Sequence, residues 1–179
     1  RARRAVEQAR YLADRYHVIV ANPPYMGGKN MEKGLVAKLK ERYPETKADL
    51  FSAFVQRSSE LSVRLGFVGI MSPNVWMYIA SHEKLRKIIT GFRIETLVEL
   101  PLSGFKGATV QVCVYVFSVR PDEGRRGAYV RLVELRGDEE DFARYTREAI
   151  ADPECSWFHR ASTSDFRKVP GSPIAYLLP

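Results

Sequence analysis

Two apolar rhythms alternate along the chain. Val6, Ala9 and Leu12 recur at helical spacing and predict a helix over residues 3–14. The run His17-Val18-Ile19-Val20-Ala21 is continuously apolar after its first residue and predicts a short buried strand over 17–21. Residues 26–34 form a glycine-containing loop beginning Met26-Gly27-Gly28-Lys29-Asn30. Leu35, Leu39 and Tyr43 then predict a short amphipathic helix that Pro44 stops. Thr46 stands where an N-cap would, with Asp49 three residues on as a capping-box acid. The helix opened there carries Leu50, Phe51, Phe54, Val55, Leu61 and Leu65 on one broad face and ends at Gly66. Phe67-Val68-Gly69-Ile70-Met71 reads as the next buried strand, closed by Ser72-Pro73-Asn74. Ser81 is the expected cap of a further helix, with Leu85, Ile88 and Ile89 inward and Gly91 past its end.

Strands follow over 94–100, 110–119 and 129–135, then a helix over 138–150 and a turn-rich tail from Asp152. Strands alternating with helices predict parallel βαβ units and an α/β fold. Only a loop, 101–109, joins the runs at 94–100 and 110–119, too short for a helical crossover. Those two strands are therefore expected to be antiparallel neighbours, or to have one strand between them. Ligands of such sheets bind beyond the carboxyl ends of the strands. Asn22-Pro23-Pro24-Tyr25 and Ser72-Pro73-Asn74 both occupy such ends.

Composition narrows the classes. At 179 residues the chain has one domain's worth of core. No apolar stretch approaches the roughly 18 residues of a membrane span, and no apolar signal core follows Arg1-Ala2-Arg3-Arg4. The chain opens without an initiator Met and is expected to be a piece of a longer protein. Cys113 and Cys155 are not in a CxxC pair, and His17, His82 and His159 are scattered, so no metal site is expected. This cysteine usage suits a reducing cytoplasm. A formal net charge of +7 favours a polyanionic partner only slightly.

Asn22-Pro23-Pro24-Tyr25 changes the picture most. An amino group on an aromatic base is a poor nucleophile because its lone pair is delocalised. Two acceptors aimed at its two hydrogens favour a more tetrahedral nitrogen and free that pair for attack. The Asn22 side chain offers one carbonyl oxygen and the Pro23 backbone offers another. The prolines fix φ, remove N–H donors and push Asn22 and Pro23 toward extended conformations. The result is a preorganised acceptor pair. Tyr25 supplies a flat face on which a base can stack, worth about 1–3 kcal/mol. A base in a duplex would have to be flipped out to reach it.

Residues 18–25 resemble the catalytic strand and Asn-Pro-Pro-Tyr motif of adenine-N6 DNA methyltransferases. Asp49-Leu50-Phe51, the run from Gly66 to Pro73, residues 94–100, Phe105-Lys106-Gly107-Ala108-Thr109 and the run from Val112 to Phe117 resemble that family's later elements in order. Met26-Gly27-Gly28-Lys29 and Val169-Pro170-Gly171-Ser172-Pro173-Ile174-Ala175-Tyr176 resemble the large methyltransferases of BREX-type phage-exclusion systems, the PglX family, relatives of type II restriction-modification enzymes. The resemblance implies S-adenosylmethionine (SAM) as cofactor, double-stranded DNA as partner, and bacterial phage defence or restriction-modification as setting. Other defence-system subunits are further expected partners. It implies catalytic roles for Asn22, Pro23, Pro24 and Tyr25, and a base clamp of Tyr25 and Phe105. It also places Asn22 and Phe51 against the donor.

The family's donor-binding half, a strand with a glycine-rich turn and an acid for the ribose, should lie upstream, yet only one helix precedes residue 17. The expected fold is therefore the C-terminal half of a Rossmann-like SAM-dependent methyltransferase sheet, mixed, with an antiparallel last strand. Residues 1–135 would be the partial catalytic domain, and 136–179 an extension leading toward a further domain. Lys29, Arg125 and Arg126 are candidate contacts to the DNA backbone, against the plainer reading of solvated loop cations. Two other functions are open on sequence: methylation of a protein glutamine amide or an RNA base, and a non-catalytic nucleic-acid-binding or assembly role.

Overall fold

The apolar runs become six strands of one mixed sheet in a computed structural model, which describes residues 2–102, 104 and 109–177. They are β1 (Tyr16–Ala21), β2 (Ser62–Pro73), β3 (Arg93–Glu99), β4 (Val112–Ser118), β5 (Arg126–Arg131) and β6 (Phe158–Ser162). Their spatial order is β1-β2-β4-β3-β5-β6. β1 runs parallel to β2 and β3 parallel to β5, while β4 is antiparallel to both β2 and β3. Thus β1, β2, β3 and β5 all point the same way, and their C-terminal ends share one edge of the sheet. The runs expected as antiparallel neighbours are β3 and β4, side by side.

Burial on both faces accounts for the apolar character of the central strands. On one face, α3 (Leu50–Leu61) and α4 (Glu83–Thr90) lay Phe51, Val55, Leu85 and Ile89 against Val68, Ile70, Ile94, Leu97, Tyr115 and Phe117. On the other, α5 (Glu139–Ala151) packs Phe142 and Ala149 against Leu100, Val112, Val130 and Leu132. The helix at Lys33–Arg42, α2, covers a smaller cluster of Met31, Leu39 and Ala53. The first helix, α1 (Ala2–Ala13), leaves Val6, Tyr11 and Leu12 exposed. A last short helix, α6 (Thr163–Phe166), buries Phe166 in the main core. No described helix is long and apolar enough to cross a membrane.

Several expectations change on contact with the fold. β1 is a strand but not a buried one: Val18 is 63 % and Val20 80 % exposed, because β1 is the edge and has a neighbour on one side only. Asp49, not Thr46, caps α3; the Thr46 hydroxyl instead donates to Gln56 Oε1 at 2.8 Å. α3 stops at Leu61, and Leu65 stands exposed in β2 rather than on the helix face. Gly66 is no helix terminator. It lies where β2 is crowded by the chain: a Cβ there would sit 2.5 Å from Ser62 Oγ and 2.9 Å from the His17 carbonyl. Ser81 falls in a 3-10 turn (Ala80–His82), and His82 takes the cap position of α4 without a side-chain bond. The strand expected over 129–135 runs Arg126–Arg131, and a turn closed by Leu135 N–H on the Leu132 carbonyl follows it.

The sheet is mixed and its last strand is antiparallel, as expected, but that strand is not the run over 110–119. β4 lies inside it, and β6, hidden in the supposedly turn-rich tail, closes the far edge antiparallel to β5. Residues 139–176 accordingly add α5, β6 and α6 to the same sheet.

Candidate active site

β1 ends at Ala21, opposite Ile70 of β2, and delivers Asn-Pro-Pro-Tyr to the edge where the parallel strands finish. Asn22 is exposed there, Pro23 is buried beneath it, and Pro24 is exposed. The Tyr25 hydroxyl donates to Asn22 Oδ1 at 3.0 Å. An amide oxygen has two lone pairs, so the carboxamide is oriented by one bond and keeps a second acceptor site. The Tyr25 ring meets Phe51 edge-on, with centroids 6.4 Å apart, and Phe51 in turn lies 5.4 Å from the His82 ring. Burial, and after it the nearby Cys113 thiol, push the Tyr25 phenol above its ordinary pKa. Burial holds the His82 imidazole below its own, against the opposing pull of Asp49.

The loop after the motif is latched to the start of α3. Asp49 Oδ1 accepts from the backbone N–H of Met26 at 3.3 Å and of Phe51 at 3.2 Å. The Leu50 N–H donates to the Met26 carbonyl at 2.9 Å, and the Gly28 N–H to Ala48 at 3.0 Å. One carboxylate therefore satisfies an orphan helix donor and fixes the residue next to Tyr25. The sequence signal for it was present in Asp49-Leu50-Phe51, since Asp is a preferred N-cap, but Thr46 competed for that role.

The other candidates separate. Lys29 is exposed in the 3-10 turn Gly28–Asn30, on the motif's own loop. Arg126 opens β5, with Arg125 just before it, and so both stand at the opposite edge of the sheet from Asn22. Arg126 Nη2 donates to the Arg160 carbonyl at 2.9 Å, beside a cavity of about 340 Å³ that Arg160 and Lys168 also line. Phe51 is 1 % exposed and is spent on packing against Tyr25 and His82. Phe105 lies outside the described residues. Trp76 and Met77 are fully buried core. Among the described residues no cluster of His, Cys, Asp and Glu could hold a metal.

Comparison with known proteins fits this arrangement. The model of the Eco57I restriction-modification methylase family matches residues 4–105. The chain belongs to that family. It is 30 % identical over 177 residues to the adenine-specific methyltransferase PglX of Lacticaseibacillus casei (strain Zhang), covering 97 % of this chain and 15 % of that protein. It is 34 % identical over 175 residues to the adenine-specific methyltransferase BrxX of Escherichia coli O9:H4 (strain HS), covering 96 % of this chain and 14 % of that protein. The chain thus spans about a seventh of the length of these relatives.

Among solved structures, a modification subunit of a putative type I restriction enzyme from Vibrio vulnificus YJ016 superposes with a TM-score of 0.64 at 19 % identity, over 86 % of this chain and 35 % of that one. A putative class I S-adenosylmethionine-dependent methyltransferase from Listeria monocytogenes gives 0.56 at 16 % identity, over 82 % and 44 %. The fold is the Rossmann-like one of these methyltransferases. The residues present fit one wall of a donor site: an exposed carboxamide at the end of an open edge strand. Among the described residues no glycine-rich first turn with a ribose-binding acid accompanies it.

Proposed function

We propose that the protein containing this chain methylates the N6 amino group of an adenine flipped out of double-stranded DNA, in the cytoplasm, as part of restriction-modification or phage defence. The observation that carries this reading is the exposed Asn22 carboxamide, held with an acceptor free in the stiff turn at the end of β1. Membership of a restriction-modification methylase family and the adenine-specific relatives support the choice of substrate. SAM, when bound, supplies an electrophilic methyl on a positively charged sulfur. The Asn22 Oδ1 and the Pro23 carbonyl accept from the two hydrogens of the target amine and orient its lone pair. Tyr25 stacks on the base, with Phe105 as the second aromatic wall. Once the amine had taken the methyl group that bound SAM would supply, with the carbon–sulfur electrons left on sulfur, the nitrogen would release a proton to water. Lys29, on the same loop, is placed for a backbone phosphate. Arg125 and Arg126, at the opposite end of the parallel strands, would reach the DNA backbone only away from the target amine.

In the same reading the donor-binding half lies elsewhere in the protein and pairs with the open side of β1. Further subunits of a defence system would be its assembly partners.

The test is Asn22→Ala in the full-length protein, with host adenine modification mapped by long-read sequencing. Methylation should vanish while the circular dichroism spectrum and melting temperature stay at wild-type values. Retained adenine methylation overturns the assignment. Loss of a protein-amide or RNA mark, with DNA unmodified in both strains, would redirect it to another amine.

A further inference from the structure

Two buried ions have no role in the chemistry above, and both lie in one corner of the fold. Glu99, the last residue of β3, is 2 % exposed. Its carboxylate collects four donors: Asn74 Nδ2 at 2.9 Å, the Tyr176 hydroxyl at 2.6 Å, the Tyr78 hydroxyl at 3.3 Å and Arg131 Nη1 at 3.2 Å. Arg86 is also 2 % exposed. Its guanidinium donates to three backbone carbonyls, those of Trp76 at 2.8 Å, Ile79 at 2.6 Å and Gly171 at 2.8 Å. Burying an ion is costly unless its hydrogen-bonding capacity is met, so each is kept by the partners it gathers.

Apart from Arg131 of β5, the partners fall into the same two segments. One is the 74–79 turn that leaves the C-terminal end of β2. The other is the tail over 171–176. A backbone bond joins them directly, Ile174 N–H to the Met77 carbonyl at 3.0 Å. Ile174 and Tyr176 are themselves buried in the main core, and the Tyr176 ring stacks on Tyr129 with centroids 5.0 Å apart. The tail is therefore fastened to the turn at three points: through Glu99, through Arg86 and by the Ile174–Met77 backbone bond.

The turn leaves the strand next to the one that delivers Asn22. β2 is the strand next to β1, and Ser72, Cys113 and Glu99 face one another across β2, β4 and β3. That row stands two residues past the Ile70 that pairs with Ala21, level with the start of the motif. Three strand spacings separate Glu99 from the motif's strand, about 14 Å. The Tyr78 ring is half exposed and its hydroxyl donates to Glu99 at 3.3 Å, so the turn carries an accessible aromatic anchored on that carboxylate.

We propose that the tail over 171–176 is a strap that fixes the 74–79 turn as a wall of the target pocket, with Glu99 and Tyr176 as positioning residues for methyl transfer. This rests on the methyltransferase reading. A wall set by a saturated buried carboxylate cannot shift without unpairing one of its donors. The strap thus sets how closely the extruded base approaches the Asn22 acceptor, and leaves donor binding untouched.

The experiment uses full-length protein and a duplex carrying the adenine that long-read sequencing finds modified, with 2-aminopurine in its place for fluorescence. Tyr176→Phe removes one hydroxyl and keeps the stacked ring. It should lower kcat per SAM-binding site by about 3- to 10-fold, the loss of roughly one hydrogen bond's worth of alignment. The SAM Kd should remain within about 2-fold and the 2-aminopurine signal should change in amplitude. Glu99→Gln should lower kcat further. If Glu99→Gln fails to fold, Tyr176→Phe decides alone. A fall in melting temperature with kcat per site and fluorescence unchanged overturns the strap and leaves these residues merely structural. Asn22→Ala in the same assay separates the two readings: if it stays active the methyltransferase assignment fails, whereas if it is dead and Tyr176→Phe is wild-type, only the strap fails.

Discussion

At the scale of residues, the role proposed for Asn22 depends on the orientation of its carboxamide, and the Tyr25 hydroxyl donates to its Oδ1 at 3.0 Å. Tyr25→Phe keeps the stacking ring and removes that bond. Its expected effect is a fall in kcat of about 2- to 10-fold with little change in KM for DNA, since one hydrogen bond is worth about 0.5–1.5 kcal/mol. Steady-state methylation of a duplex substrate by the full-length protein measures this; a wild-type kcat would show that the hydroxyl does not orient Asn22. The Asn-Pro-Pro-Tyr turn was legible in the sequence because its geometry is local: two prolines and an Asn determine it whatever else the chain does. Glu99 and the latch from Asp49 to Met26 were not, because they are set by partners far along the chain. Asp49 serves Met26, and Glu99 serves Asn74, Arg131 and Tyr176. A lone carboxylate ending an apolar strand, as in Leu97-Val98-Glu99-Leu100, was the one visible hint.

At the scale of elements, periodicity located the central strands and the helices that cover them, since double-sided burial writes itself into continuous apolar runs. It failed where pairing rather than composition makes a strand. Phe158–Ser162 holds His, Arg and Ser among its five residues, and is a strand because β5 offers an open edge. The long β2 was misread at its start for a related reason. Residues 62–66 continue the helical spacing of α3, yet the pairing of Ser62 with Tyr16 and the bond from Leu65 N–H to the Val119 carbonyl draw them into the sheet. Leu65 takes a φ of 68° to make that passage, and Gly66 follows at a point with no room for a side chain. Gly66→Ala is therefore expected to destabilise the protein by about 1–3 kcal/mol, because the His17 carbonyl that a Cβ would strike is backbone and cannot swing aside. Urea denaturation measures it, and a change within about 0.5 kcal/mol of zero would mean that the edge strand β1 moves away freely.

At the scale of the whole molecule, β1 presents the clearest conflict between sequence and structure. Its composition is that of an interior strand, yet it stands at the edge with Val18 and Val20 in the open. Beside it, α1 is held by polar bonds, Arg57 Nη2 to the Leu12 carbonyl and Arg15 Nη1 to the Glu60 carbonyl, while its own apolar side is exposed. Soluble proteins guard such an edge with charge, proline or a bulge, because unpaired N–H and C=O groups invite another strand. The six residues Tyr16–Ala21 include no Asp, Glu, Lys, Arg or Pro. Its alternate amides, facing away from β2, have no neighbouring strand among the described residues. If the donor-binding half of the sheet pairs there in the full-length protein, those amides become internal. Hydrogen exchange read by mass spectrometry on full-length protein should then show peptides spanning 16–21 protected to the level of β4, the strand with neighbours on both sides. Exchange of half these amides at the rate of an open edge would mean that no strand pairs with β1, and the donor half would have to be sought against another surface.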